Sequence, residues 1–175
     1  MSGTYHLNWT SRMSDADAGS EDILERFIKA EGKRFIPGKS GENTALETKE
    51  APKGPFLKSH GLLKLSYQQV LDETTGEGVT EVMTLRFGED GRIGKVTMNR
   101  PGSRFRLEFD AGKWYHADYE TVGGELMVQI LTRELTGICK DDRFWLRIRY
   151  DLWLDEHTMQ KQEIEIHGAK KISLA

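Results

Sequence analysis

Apolar and polar residues alternate with a period of two along most of the chain. Phe105, Leu107 and Phe109 are interleaved with Arg104, Arg106, Glu108 and Asp110. Met83, Leu85 and Phe87 alternate with Val82, Thr84 and Arg86, and Ile164 and Ile166 sit between Glu163, Glu165 and His167. The longest run sets Phe144, Leu146, Ile148, Tyr150, Leu152 and Leu154 against Trp145, Arg147, Arg149, Asp151 and Trp153. Successive side chains of a strand point to opposite faces, so each run buries one face of a sheet. Wound as a helix, the same runs would scatter apolar residues all round the cylinder. Turn-forming pairs punctuate them at Asp90-Gly91, Pro101-Gly102, Ala111-Gly112 and Gly123-Gly124, residues that tolerate positive φ or preset a turn.

The pattern predicts about ten strands, near 4–13, 23–35, 61–72, 79–88, 92–100, 104–110, 113–121, 125–136, 143–154 and 161–168. The links among the last eight are mostly short, which makes sequence neighbours antiparallel partners in a meander. A long meander with one apolar face removes its edges by closing into a barrel. The expected fold class is all-β: a single antiparallel meander β-barrel occupying residues 1–175 as one domain. One stretch interrupts the rhythm. Residues 37–60 hold Pro37, Pro52, Pro55, Gly38, Gly41 and Gly54 with few apolar positions. A loop of that length in a compact domain is a mobile insertion or a functional lid, and in the second case Phe56 and Leu57 form its inserting tip.

Composition narrows the picture only in part. The chain has 175 residues, 37% hydrophobic and 30% charged, with a formal net charge of −3, the range of one soluble domain. It contains no long uncharged apolar run, which excludes a transmembrane helix. The N-terminus, Met1-Ser2-Gly3-Thr4-Tyr5-His6-Leu7-Asn8-Trp9, offers neither a basic nor an apolar signal region. Cys139 is the single cysteine, so no intramolecular disulfide forms, in keeping with a reducing compartment. The expected location is cytoplasmic, with no membrane partner, and the sequon Asn8-Trp9-Thr10 is then coincidental.

From Gly61 to Ile166 a further set of residues stands in a definite order. Leu65-Ser66-Tyr67 comes first, then Gly91 and Arg100-x-Gly102. Phe109-x-x-Gly112, Tyr119-x-Thr121 and Gly124-Glu125-Leu126 follow, and Thr132 precedes Ile148-x-Tyr150-Asp151-Leu152. In this order and spacing the chain resembles the domain of unknown function 1934 family, uncharacterised bacterial proteins described as calycin-like, or lipocalin-like, β-barrels. The resemblance is strong over roughly two-thirds of the chain and loose over the first two strands. It departs from the family in the 37–60 insertion and in Pro101, where a small polar residue is usual. It implies the barrel fold and supplies no activity, because none of these residues forms a catalytic signature.

Parity assigns the faces of such a barrel. Met83, Leu85, Phe87, Phe105, Leu107, Phe109, Phe144, Leu146 and Ile148 face inward, and Tyr115, Tyr119 and Tyr150 share that parity, as does Tyr67. Inward hydroxyls need partners. They either bond within a filled core or converge on the polar group of an otherwise apolar ligand, the usual composition of a pocket. Arg100 and Thr132 are further polar candidates near strand ends. The expected ligand-binding residues are therefore Tyr67, Arg100, Tyr115, Tyr119, Thr132 and Tyr150. On the outward face, Trp145, Arg147, Arg149 and Trp153 are a candidate interface, for a homodimer or another protein. Nucleic acid is disfavoured, since residues 92–149 carry 11 Lys/Arg against 8 Asp/Glu, an excess of only three.

Few arrangements suggest catalysis. His116 and Asp118 lie at i and i+2 of one strand and could chelate an ion with His157 or His167, but alternation places them outside. Asp15-x-Asp17-x-Gly19 fails the calcium-loop pattern at Ser20 and Arg26. Glycine clusters near Gly76-Glu77-Gly78 and Gly88–Gly94 sit between strands and lack nucleotide-binding spacing. Glu163 and Glu165 are a solvated pair on a polar face. The expectation is non-catalytic binding of a small, largely apolar ligand in the lumen, without cofactor, metal or catalytic residues. The alternatives are a filled barrel acting through Trp145 and Trp153 and, more remotely, a metal-dependent enzyme using His116 and Asp118.

Overall fold

The structure is a computed structural model and describes residues 2–15, 21–36, 61–72, 74–121, 123–155 and 158–171, apart from the side chains of 71, 72, 119–121 and 158. Ten antiparallel strands fill these residues: β1 (Ser2–Asp15), β2 (Glu21–Phe35), β3 (Gly61–Asp72), β4 (Glu77–Phe87), β5 (Ile93–Asn99), β6 (Arg106–Phe109), β7 (Trp114–Thr121), β8 (Gly124–Lys140), β9 (Arg143–Leu154) and β10 (Thr158–Lys170). All belong to one sheet in the order β6-β5-β4-β3-β2-β1-β10-β9-β8-β7. The 37–60 insertion, with Phe56 and Leu57, lies outside the described residues.

The sheet curls into a nearly closed, calycin-like barrel. The first and last strands pair along their lengths, from Tyr5↔Lys170 to Asp15↔Gln160. The seam falls between β6 and β7, which adjoin in sequence but share no ladder. It is held instead by isolated contacts. Tyr115 donates its hydroxyl proton to the Arg106 carbonyl at 2.8 Å, the Gly112 N–H reaches the Thr132 carbonyl at 2.9 Å, and the Cys139 N–H reaches the Gly91 carbonyl at 2.7 Å.

Parity places the core as alternation requires. Leu65, Met83, Leu85, Phe109, Leu146 and Ile148 are wholly buried inside the barrel, each contributing about 1.5–3 kcal/mol relative to exposure. Two sequence expectations need correction. Strand β6 spans four residues, because Pro101 and Gly102 (φ +80°) build a turn in which the Ser103 N–H bonds the Arg100 carbonyl. Phe105 therefore precedes the strand and stacks on Arg100, 4.1 Å from guanidinium to ring centre, instead of entering the core. On β8 the register shifts between Thr132 and Glu134. This bulge at Arg133 lets Thr132 and Leu135 both turn inward, and the strand runs on to Lys140.

The two ends of the barrel differ. At one, which we call the packed end, Phe144 lies across Gly168 in register and Tyr5 lies against Gly32. A β-carbon at Gly168 would sit 2.1 Å from the Phe144 ring, and one at Gly32 would sit 2.3 Å from the Tyr5 ring. The glycines are there because aromatic rings occupy the space of their missing side chains. Arg34 covers the Phe87 ring at 5.0 Å and donates to the Asp141 carbonyl. At the other, polar end, β2 and β3 part. They pair only from Glu31↔Ser66 to Phe35↔Leu62, so among the described residues β2 before Glu31 pairs with β1 alone and β3 after Ser66 with β4 alone.

Candidate functional site

The parting of β2 and β3 opens onto a cluster of polar side chains at inward positions. Tyr67 on β3 shares parity with Leu63 and Leu65, and Glu81 on β4 shares parity with Met83 and Leu85. Glu81 is 5% exposed and Tyr67 3%. Tyr67 donates to Glu81 Oε1 at 2.7 Å, and Arg100 Nε donates to Glu81 Oε2 at 3.3 Å, so both carboxylate oxygens are engaged. Arg26 on β2 bridges the opening, donating from Nη1 to Gln69 Oε1 on β3 at 2.7 Å. Its guanidinium lies 4.7 Å from the ring centre of Trp9, a favourable cation–π placement. Trp9 meets Tyr67 edge-on at 5.7 Å. Phe27, 83% exposed, and Val70 flank the opening on the outside.

Electrostatics follow from this packing. Burial pushes the Tyr67 hydroxyl far above the ordinary tyrosine value, and the Glu81 carboxylate pushes it further. It stays a protonated donor. Burial lowers the Arg26 pKa, opposed by the nearby Glu81 carboxylate. Its Nε is buried without a hydrogen-bond partner among the described residues, an unusual state for an interior donor.

Of the residues expected to bind ligand, Tyr67 and Arg100 are brought together through Glu81. The others are not part of this cluster. Tyr150 is buried, packs on Phe109 at 4.8 Å and donates to Gln162 Oε1 at 2.6 Å. Burial raises its pKa well above the usual range. Tyr115 is spent on the seam. Thr132 lies mid-strand at the bulge, where its hydroxyl accepts from the Asp110 N–H at 3.3 Å. The Tyr119 side chain lies outside the described residues.

The outward row on β9 is knitted into its neighbours. Arg147 pairs with Glu163 at 2.6 Å, Arg149 with Glu134 at 3.4 Å, and Trp145 donates to Glu165 at 3.1 Å. Asp151 is buried beneath Arg133, at 2.8 Å. Trp145 and Trp153 are both partly covered, Trp153 by Trp114, with ring centres 5.1 Å apart. Trp114 itself is 60% exposed. His116 Nε2 and Asp118 Oδ1 lie 3.3 Å apart, with both side chains about half exposed. Among the described residues no group of three His, Cys, Asp or Glu side chains is arranged to hold a metal; His157 lies outside them. His167 faces Glu165 instead, at 3.7 Å.

Sequence reasoning passed over Trp9, Arg26, Gln69 and Glu81. For the last three the signal is a polar residue at an inward-parity position: Arg26 aligns with Ile28 and Ala30, Gln69 with Tyr67, and Glu81 with Met83. Gln162, in line with Ile164 and Ile166, is a fourth case.

The fold class is thus that of a calycin-like β-barrel with a polar cluster at one end. Residues 36–166 match the family described as domain of unknown function (DUF1934), and the chain belongs to that family. Among solved structures it is similar to the ywiB protein from Bacillus subtilis, at 16% identity and a TM-score of 0.60, covering 97% of this chain and 94% of that one. It also aligns with the S-type phycobiliprotein lyase CPES from Guillardia theta, at 10% identity and a TM-score of 0.37, covering 98% and 88%. A comparison with curated proteins gave no match. No helix among the described residues is long and apolar enough to cross a membrane.

Proposed function

We propose that the barrel is a non-catalytic binder of a small, largely apolar ligand, taken up at the polar end where β2 and β3 part. The observation that supports this is the contrast in inward residues along one lumen. Below the cluster lie Met83, Met98 and Ile164, all buried, while the cluster itself gathers Arg26, Tyr67, Gln69, Glu81 and Arg100. A mostly apolar cavity wall with a few convergent polar groups is the usual make-up of a ligand site.

The test is native mass spectrometry of the full chain purified from its own host, beside the denatured mass. A ligand appears as extra mass that is lost on denaturation, and adding it back stabilises the fold by RT ln(1 + [L]/Kd), read as a higher melting temperature. Native and denatured masses that agree, with no shift from added host extract, would sink the reading. A second reading, self-association through the outer face of β7–β9, is favoured by the exposed Trp114 stacked on Trp153. Light scattering on a Trp114→Ser/Trp153→Ser variant tests it: a mass equal to that of wild type removes it.

A further inference from the structure

We infer that the ligand of the polar end is an amphipath with an anionic head, a carboxylate or a phosphate ester, held by Arg26. The inference rests on the binding reading above and adds the chemistry of the head.

Two guanidinium groups, Arg26 and Arg100, share one carboxylate, Glu81. Both oxygens of Glu81 are already engaged, one by the Tyr67 hydroxyl and one by Arg100 Nε. Arg26 therefore has no carboxylate in direct contact among the described residues. Its hydrogen bond goes to the neutral Gln69 oxygen, and its Nε has no partner there. A partly buried cation with an incomplete set of acceptors is costly to hold. It is also what a binding site for an anion requires before the anion arrives.

The chemistry of the side chain fits such a role. A planar guanidinium presents parallel N–H groups that match two oxygens of a carboxylate or phosphate. Trp9 lies against the guanidinium at 4.7 Å and limits its movement. Among the described side chains of the cluster one positive charge is in excess, which favours an anionic head, whereas a neutral head would leave Arg26 as it stands. Inward of the cluster the neighbouring side chains are apolar, Ile28, Met83 and Met98, and belong to the core, the surroundings an apolar tail requires. Phe27 and Val70, exposed at the lip of the opening, supply apolar surface along the way in.

The experiment compares three probes of one chain length, decanoate, decyl phosphate and decanol, by calorimetry on the full chain. The expected result is 1:1 binding of at least one anion, at least about tenfold tighter than decanol, weakening as salt rises. Decanoate over decyl phosphate, or the reverse, identifies the head. Arg26→Gln should weaken the anion by at least about tenfold and leave decanol unchanged, and Arg26→Lys should recover part of the loss. Decanol binding as tightly as the anions, or an Arg26→Gln variant that binds anions like wild type, overturns the anionic head and leaves the lumen site standing. No binding of any probe removes both the head and the site. The wild-type comparison of acid with alcohol decides the matter even if the variants unfold.

Discussion

At the packed end of the barrel the inward rows carry Leu63, Phe87 and Phe144, with glycines where rings cross. At the polar end the same rows carry Arg26, Tyr67, Gln69 and Glu81. The packed end spends its inward positions on stability, since every ring has a complementary space. The polar end holds a buried carboxylate and a tyrosine whose hydroxyl must find a partner, an arrangement that is often no more stable than apolar residues of the same volume. Within one sheet, the first kind of end holds the barrel shut and the second leaves β2 and β3 parted from each other beside charged groups. A site built for contact with something else belongs at the second.

The sharpest way to test this contrast is to truncate one residue at each end. Phe87→Ala should cost about 3–5 kcal/mol in urea unfolding, because a large wholly buried ring leaves a cavity; a loss under about 1 kcal/mol would mean the packed end is loosely filled. Glu81→Ala should cost somewhat less, about 2–4 kcal/mol, by stranding the Tyr67 hydroxyl and Arg100. The triple change Glu81→Leu, Tyr67→Phe and Arg100→Met should return stability to within about 1 kcal/mol of wild type. If it stays as unstable as Glu81→Ala, the cluster is a structural support and the contrast between the ends fails.

The smallest effect is read from alkaline pH. Tyr67, Tyr150 and Tyr5 all have pKa values raised above the ordinary 10.0 by burial, Tyr67 also by Glu81 and Tyr5 also by Cys139. Below about pH 10 this stabilisation is complete. Above it the unfolded tyrosines ionise while the folded ones keep their protons, so stability falls by at most about 1.4 kcal/mol per pH unit for each residue. The Tyr67→Phe variant should lose less stability than wild type between about pH 9 and about pH 11, measured as the urea midpoint. Equal losses would place Tyr67 in contact with water.

Much of this molecule is legible in its residue pattern. Alternation places Met83, Leu85, Phe109, Leu146 and Ile148 inside, and the ten expected strands correspond to the ten observed. What escapes the pattern depends on distant partners. The Arg133 bulge changes which residues face inward, and nothing local to Leu131-Thr132-Arg133 announces it. The parting of β2 from β3 arises between strands far apart in sequence, with no mark in either. The candidate site was half legible. Tyr67 and Arg100 stand out as polar groups on an apolar face, but Tyr115 and Thr132 share that appearance and are engaged by backbone at the seam and the bulge. Arg26, Gln69 and Glu81 escape a reading that finds inward faces by their apolar members, because charge in the wrong parity resembles an end of strand until the fold shows it buried.

The pairing of β1 with β10 has a consequence for how the chain finds its shape. Eight of the nine ladders join strands that adjoin in sequence, while the ninth couples Tyr5 to Lys170. The covalent gap of the ring and its hydrogen-bond gap, at the β6–β7 seam, are therefore in different places. Forming that one ladder requires closing nearly the whole chain into a loop, a slow, entropically unfavourable step. A circular permutant with Ser2 linked to Lys171, whose N–H already reaches the Thr4 carbonyl at 2.7 Å, and opened at Ala111-Gly112 would make all nine ladders local. The native contacts would stay the same, and only the route to them would shorten.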